Sequence, residues 1–308
     1  MEQRKIGSLT VSVAGLGCNN FGWRIGLDET KAVLAAALDA GVNLLDTADM
    51  YGAGQSEEFM AAALAGRRKE VVLATKFGFE MAPGKAGAGP KYVKEACEAS
   101  LRRLKTDWID LYQLHKPDPA TPIADTLGAL DDLVRLGKVR EIGCSNFSTA
   151  QLREAEAASK QSGGARFVSI QNEYSLLQRG PEAEVIPECR RLGLAFIPYF
   201  PLANGLLSGK YRKGQPLPAN SRGKDGWGPK IFNDRNMDLV ESLIAFAETR
   251  HHTLLELAIS WLAARETVAS VITGAKTPEQ AKANAAAAGW RLTTEELARV
   301  DQILLQPA

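Results

Sequence analysis

Eight short apolar stretches recur along the 308-residue chain, and each is followed by a longer stretch with helical spacing. They are apolar throughout rather than alternating, as parallel strands buried on both faces should be. The predicted strands lie at residues 14–17, 42–46, 71–75, 110–115, 139–145, 168–172, 195–199 and 268–273. Repeated strand–helix units build either a closed barrel or an open sheet covered on both faces, and eight units favour the barrel. The sequence therefore predicts an α/β fold, a (β/α)₈ TIM barrel whose single domain covers residues 1–308.

Helical segments fill the gaps between the predicted strands, at residues 30–40, 57–65, 91–104, 123–136, 149–159 and 182–192. Ser148, Thr253 and Thr277 each stand three residues before a Gln or Glu, which predicts a capping box at the start of a helix. Outside the repeat, residues 4–6 and 10–13 predict an N-terminal β-hairpin. Residues 237–250 and 293–304 predict two additional helices, and the Gly- and Pro-rich residues 201–236 predict a long loop.

Charge and cysteine content exclude several classes of function. Lys and Arg number 37 against 36 Asp and Glu, so a net charge of +1 provides no basic surface for nucleic acid. Four dispersed cysteines and three histidines argue against a disulfide framework and against a metal site. The N-terminus lacks the apolar region of a signal peptide, and no apolar run is long enough to span a bilayer. We therefore expect a cytoplasmic protein without metal, membrane or nucleic-acid partner, and the oligomeric state stays open.

Polar residues follow three consecutive predicted strands, at the positions where (β/α)₈ barrels carry their active sites. Asp46 ends the second strand, with Tyr51 five residues later, Lys76 follows the third strand, and His115 ends the fourth. Taken singly, each residue is more often structural than functional, since lone lysines are usually solvated and loop tyrosines usually pack. Their occurrence on three neighbouring junctions of one barrel instead predicts a shared site.

These four side chains form a coherent group for giving a proton to an oxygen atom. The unperturbed pKa of tyrosine is about 10, and the Lys76 ammonium would stabilise a Tyr51 phenolate and so make the proton easier to give. A buried Lys76 needs a counter-charge, which Asp46 can supply. His115 can orient a substrate oxygen by a hydrogen bond.

Beyond these four residues, the chain resembles the aldo-keto reductase superfamily over nearly its whole length. The matching motifs are DTADMYG at residues 46–52, TK at 75–76, LH at 114–115, GCSNF at 143–147, QNEYS at 171–175 and PLANGLLSGK at 201–210. The resemblance implies a catalytic tetrad of Asp46, Tyr51, Lys76 and His115. It also implies reduction of an aldehyde or ketone by hydride transfer from NADPH, with Tyr51 as the proton donor and NADP⁺ as the oxidised product.

The resemblance further implies a binding site for this cofactor that starts beside Asp46. Its residues, from the nicotinamide to the adenosine end, would be Ser145, Asn146, Gln171, Tyr199, Phe200, Pro201, Leu202, Lys210, Arg222, Gly274, Lys276, Gln280 and Asn284. Phe200 stands where many relatives have a Ser, and Ala283 where many have an acidic residue. The long loop after the seventh strand is expected to act as a lid, so residues 214–228 should become ordered when the cofactor binds.

The substrate and two other functions stay open at this level. We expect a pocket for a small carbonyl compound, lined by Trp23, Tyr51, Phe77, Phe79, His115, Lys116 and Trp227. One alternative is an NADPH-binding redox sensor or regulatory module on the same barrel, with little turnover. The other is a barrel enzyme for a phosphorylated substrate, held by the loop after the eighth strand. Fold alone does not choose among these functions.

Overall fold

A computed structural model describes residues 1–218 and 228–305 of the chain. Two antiparallel strands, β1 (Gln3–Ile6) and β2 (Leu9–Ser12), form the predicted N-terminal hairpin. The parallel strands that follow are β3 (Ala14–Gly17), β4 (Leu44–Asp46), β5 (Val72–Phe77), β6 (Ile109–Leu114), β7 (Val139–Ser145), β8 (Phe167–Glu173), β9 (Ala195–Tyr199) and β10 (Val271–Gly274). They pair in the order β10-β3-β4-β5-β6-β7-β8-β9, so neighbours in the chain are neighbours in the sheet.

Strands β9 and β10 meet at a short seam centred on Phe196, which brings the sheet close to full closure. The Phe196 N–H donates to the carbonyl oxygen of Thr267 at 2.8 Å, and the Ala269 N–H donates to the Phe196 oxygen at 3.0 Å. Val268 forms an isolated parallel bridge with Phe196. The strand predicted at residues 268–273 therefore begins only at Val271, because the residues before it form this seam instead of a continuous ladder.

Helices occupy the gaps between the strands and cover the outside of the barrel. In chain order they are α1 (Leu27–Asp39), α2 (Gln55–Ala63), α3 (Pro90–Leu104), α4 (Ile123–Arg135), α5 (Thr149–Ser162), α6 (Val185–Leu192), α7 (Gly228–Ile231), α8 (Asp234–Glu248), α9 (Leu254–Ala263), α10 (Pro278–Ala286) and α11 (Thr294–Leu304). Helices α8 and α11 contact each other and are the two additional helices of the prediction. The predicted (β/α)₈ barrel is confirmed.

Two of the three predicted capping boxes form, at Ser148 and at Thr253. At Thr277 the hydroxyl accepts the Gln280 N–H at 3.3 Å, but the Gln280 side-chain oxygen accepts the Lys276 N–H at 2.9 Å. The third prediction is therefore wrong in one respect, because the Gln280 side chain bonds one residue earlier than a capping box requires. This bond fixes the loop between β10 and α10.

The segment at residues 201–236, predicted to be a loop, contains helical structure. A 3₁₀ helix spans Ala203–Ser208, and α7 follows later in the segment. Helix α8 begins at Asp234, ahead of the predicted position 237, because the Asn233 side chain accepts the Asn236 N–H at 2.9 Å. Residues 219–227, which include Arg222, Trp227 and much of the expected lid, lie outside the described residues.

The interior of the barrel is apolar at the end that the hairpin covers. Ile6, Leu9 and Val11 of the hairpin pack with the strand residues Leu44 and Leu111 in one cluster. The carboxyl ends of the parallel strands lie at the other end and carry the polar side chains described below. Within the described residues, no helix is long and apolar enough to cross a bilayer.

Candidate active site

A cavity of about 620 Å³ lies at the carboxyl ends of the strands. Strands β4, β7, β8, β9 and β10 each contribute residues from their last positions to its wall. The barrel therefore gathers side chains that are far apart in sequence around one space, as the predicted strand ends require. The expected residues on the wall are Asp46, Tyr51, His115, Ser145, Asn146, Gln171, Tyr199, Phe200, Pro201, Leu202, Lys210, Gly274, Lys276, Gln280 and Asn284.

A buried ion pair lies beneath this cavity. Lys76 Nζ is 2.6 Å from Asp46 Oδ2 and donates a second hydrogen bond to the Thr47 carbonyl oxygen at 2.8 Å. Asp46 Oδ1 accepts hydrogen bonds from Gln113 Nε2 at 3.1 Å and from Gln171 Nε2 at 3.0 Å. Both charges are thus paired and hydrogen-bonded, which a buried ion pair needs to offset its desolvation.

The ammonium of Lys76 stays charged at this buried position. Burial by itself would lower the pKa of Lys76, but the Asp46 carboxylate and the neighbouring Tyr51 hydroxyl outweigh it, and the pKa lies above its ordinary value. Lys76 Nζ is 5.3 Å from the centre of the Tyr51 ring. A full positive charge therefore sits beside the phenol.

The phenol of Tyr51 is held at the cavity wall by an unusual turn. Tyr51 opens a 3₁₀ helix after β4 in which Gly52, Ala53 and Gly54 have φ values of 57°, 54° and 97°. A Cβ at Gly54 would lie 2.9 Å from the Cδ atom of Arg103, so only glycine fits there without displacement. The sequence after Tyr51 thus sets the direction of its side chain.

Burial raises the pKa of Tyr51 above its ordinary value, and Asp46 acts in the same direction, whereas Lys76 lowers it. The phenol is therefore protonated at neutral pH. Lys76 stabilises the phenolate that forms when this proton leaves. Tyr51 can accordingly act as a proton donor rather than as a nucleophile.

His115 stands next to Tyr51 as a neutral imidazole. Burial, together with the charges of Lys76 and Lys116, lowers the pKa of His115 to about 2. The ring packs edge-on against Phe79, with centroids 4.7 Å apart, and its centroid lies 6.0 Å from that of Tyr51. His115 can therefore form a hydrogen bond with a bound oxygen without bringing a charge into the cavity.

Residues at the ends of β7, β8 and β9 form a hydrogen-bond network on one side of His115. Ser145 Oγ donates to the Gln171 carbonyl oxygen at 2.7 Å, and Asn146 Nδ2 donates to the His115 carbonyl oxygen at 3.0 Å. The Tyr199 hydroxyl donates to Asn146 Oδ1 at 2.9 Å. The network fixes the plane of Tyr199, the aromatic expected to stack on a nicotinamide ring.

The far side of the cavity combines strained backbone with positive charge. Phe200, Ala203 and Asn204 have positive φ values of 51°, 45° and 55°, which are rare for residues other than glycine. Strain of this kind concentrates at binding sites. Lys210 and Lys276 line the same part of the wall, so this region favours an anionic ligand.

The structure does not bring every expected pocket residue to the cavity. Trp23 is 66% exposed and stacks with Arg24, whose Cζ lies 4.3 Å from the centre of a Trp23 ring, and it is not among the residues that line the cavity. Phe77 is the last residue of β5 and not part of a loop, and it is buried against Tyr112, with ring centroids 4.7 Å apart, in the core between the strands and the helices. Phe79 does line the cavity.

The sequence interpretation missed several buried polar residues at this site: Asn20 and Thr273 on the cavity wall, and Gln113 and Asp49 near it. Gln113 precedes His115 by two residues, so both side chains lie on the same face of β6, a spacing that could have revealed it. Asp49 is 1% exposed, and neither of its carboxylate oxygens has a hydrogen bond among the described residues. Burial and the neighbouring Glu57 raise the pKa of Asp49 to about 7.

Comparisons with known proteins agree with this geometry. Residues 14–305 match the model of the Aldo/keto reductase family. The chain is 33% identical over 318 aligned positions to the aldo-keto reductase YhdN of Bacillus subtilis (strain 168), covering 99% of this chain and 94% of that protein. The chain therefore belongs to the aldo/keto reductase family of oxidoreductases, which act on carbonyl compounds and generally use nicotinamide cofactors.

Proposed function

We propose that this chain reduces an aldehyde or ketone to an alcohol with NADPH, and that Tyr51 donates the proton. The observation that carries the proposal is the buried Lys76–Asp46 pair, 2.6 Å apart, placed against the Tyr51 ring at the cavity wall. A charged lysine in that position favours departure of the phenolic proton. His115, neutral and adjacent, completes the group.

The cavity suits NADPH in size and in charge. Its volume of about 620 Å³ falls within the range of ligand sites. Tyr199, Ser145 and Gln171 would hold the nicotinamide end, and Lys210 and Lys276 would face the anionic phosphates. A Cβ at Gly274 would lie 3.1 Å from the Asn20 amide nitrogen, so glycine keeps this stretch of the wall open. When bound, the reduced nicotinamide would supply the hydride to the carbonyl carbon.

The residues of the chain would supply the proton and the electrostatic environment. Tyr51 would give its proton to the substrate oxygen as negative charge develops there, and Lys76 would stabilise the resulting phenolate. Asp46 would keep Lys76 charged and in place. His115 would hold the oxygen within reach of the Tyr51 hydroxyl, and Tyr51 would recover a proton from solvent after the alcohol leaves.

A steady-state assay of NADPH oxidation with a panel of aldehydes and ketones tests this proposal. We expect turnover with some members of the panel and none without a carbonyl compound. Tight NADPH binding with no turnover across the panel would instead favour a sensor or regulatory module. Retention of a sugar phosphate rather than NADPH would favour an enzyme for phosphorylated substrates.

Lys276 should make the protein prefer NADPH to NADH. It lies on the cavity wall between β10 and α10, where the positive end of a helix dipole faces the ligand. The 2′-phosphate distinguishes the two cofactors, and a charge-assisted contact contributes about 1.5–3 kcal/mol, which corresponds to roughly ten- to a hundredfold in affinity. We expect Lys276→Ala to lose that factor for NADPH and little affinity for NADH.

Dissociation constants for both cofactors in the wild type and in Lys276→Ala measure this preference. Lys282→Ala is the matched control, because it removes the same charge from the exposed face of α10. An undiminished NADPH preference in Lys276→Ala, or equal losses in both variants, would refute the assignment.

A further inference from the structure

Gln113 bonds to the carboxylate of Asp46 but does not itself line the cavity. Its Nε2 atom donates to Asp46 Oδ1 at 3.1 Å, and its side chain is fully buried on β6. The reverse orientation of this amide would place two oxygen atoms face to face, so Asp46 fixes the orientation. Gln113 Oε1 also lies 3.5 Å from the Gln171 Nε2 atom, which fills its acceptor side.

Gln113 and Gln171 both donate to Asp46 Oδ1, but only Gln171 can be reached by a ligand in the cavity. Gln171 lines the cavity and is among the residues expected to bind the nicotinamide carboxamide, whereas Gln113 is not part of the cavity wall. A bound ligand can therefore compete for the Gln171 amide but not for the Gln113 amide. We therefore expect the bond from Gln113 to persist through binding and release.

We propose that Gln113 is a positioning residue, which keeps the Asp46 carboxylate turned toward Lys76 and thereby keeps Tyr51 able to donate its proton. This inference rests on the proposed function of Tyr51. Gln113 itself would touch neither substrate nor cofactor and would act through Asp46.

The electrostatics of the site explain why the orientation of Asp46 matters. Burial lowers the pKa of Lys76, and the charge of Asp46, 2.6 Å away, is what outweighs this effect. If Asp46 turns away, Lys76 loses that support and Tyr51 loses a neighbouring cation. The pKa of Tyr51, which burial already raises, would then rise further and make it a weaker acid.

Two substitutions separate the hydrogen bond from the bulk of the side chain. Gln113→Met keeps the length and removes the donor, so we expect kcat for carbonyl reduction to fall about tenfold, as loss of a bond to a charged group would give. The affinity for NADPH should stay nearly unchanged. In the reverse direction, alcohol oxidation requires the phenolate, so its acid limb should move to higher pH.

Gln113→Glu should restore the bond only when the new carboxyl is protonated. At low pH its O–H can donate to Asp46, whereas at higher pH two facing carboxylates repel each other. We therefore expect activity close to that of the wild type at low pH and a loss as the pH rises. Ser169→Ala is the control, because Ser169 is also buried, lies on β8, and its hydroxyl has no hydrogen bond within the described part of the chain.

A measurement that does not depend on activity tests the role of Gln113 separately from the proposed function. The Lys76 signal in an isotope-labelled lysine NMR titration, assigned with Lys76→Met, should titrate at lower pH in Gln113→Met than in the wild type. A Gln113→Met protein with unchanged kcat, acid limb and Lys76 titration overturns the proposal. If Gln113→Met does not fold, Gln113→Glu tests the proposal alone. Recovery of its activity at low pH supports the proposal, and no recovery overturns it. If the wild type reduces no carbonyl, the proposed function fails while the lysine titration still tests Gln113.

Discussion

Replacing Tyr51 with Phe should lower the kcat of carbonyl reduction by about 10²–10⁴-fold, the usual contribution of general acid catalysis. The substitution removes the hydroxyl and keeps the ring that packs near His115 and Lys76. NADPH affinity should stay nearly intact, because the cofactor would be held by residues elsewhere on the wall. Pre-steady-state measurement of hydride transfer, together with equilibrium binding of NADPH, gives both quantities.

Tyr112→Phe is the matched control for this experiment. Tyr112 is fully buried on β6, and its hydroxyl has no hydrogen bond among the described residues. Removing it should leave kcat close to that of the wild type, since the ring still stacks on Phe77. Near-normal turnover in Tyr51→Phe would rule out this residue as the proton donor.

Replacing Asp49 with Asn should stabilise the protein above neutral pH by about 4 kcal/mol, the free energy of a carboxyl whose pKa shifts by some three units. Asp49 is buried without a partner for its carboxylate oxygens in the described structure, and its pKa rises to about 7. Burial is the main cause, Glu57 adds to it, and Arg103 and Lys76 oppose it. Asn has a similar shape and carries no charge to desolvate.

The pH dependence follows from the direction of this shift. In the unfolded chain the carboxyl ionises near its ordinary pKa of about 4, whereas in the folded chain it keeps its proton up to about pH 7. Between these values the folded state binds more protons, so the contribution of Asp49 to the free energy of unfolding falls as the pH rises. The destabilisation is absent below this window and complete above it.

Denaturant unfolding of the wild type and Asp49→Asn across this pH range measures the effect. The two free energies of unfolding should agree at low pH and separate as the pH increases. Asp107→Asn, which removes an exposed carboxylate, should follow the wild type. Parallel curves for Asp49→Asn and the wild type would contradict the raised pKa.

The barrel could be predicted because its strands are buried on both faces and therefore appear in the sequence as uninterrupted apolar runs. The same regularity placed Asp46, Lys76 and His115, since Asp46 ends β4, Lys76 is the penultimate residue of β5, and His115 directly follows β6. Helix starts were less predictable. Helix α1 begins at Leu27, ahead of the predicted residue 30. The residue before it is Gly26, which has no side chain to cap the helix, so no capping residue marks this start in the sequence.

Contacts across the barrel interior could not be read from the chain. Gln113 is separated from Asp46 by 67 residues. In the sequence it is one polar residue in a strand, and its contact with Asp46 becomes visible only when the positions of β4 and β6 relative to each other are known. Phe77 looked like a loop residue because β5 extends two residues past the predicted end at 75. The 3₁₀ helix at Ala203–Ser208 was missed because a single short turn shows no helical spacing of apolar residues, and its Asn204-Gly205 pair is equally typical of a loop.

The seam at Phe196 closes the ring of strands with few backbone hydrogen bonds. Two backbone hydrogen bonds join β9 to the residues before β10, whereas β8 and β9 are in register over five residues. The seam is therefore one place where local opening of the barrel can begin. Tyr199 lies on one side of the seam and Lys276 on the other. A ligand that contacts both residues would therefore hold the two sides together and slow the opening of the barrel.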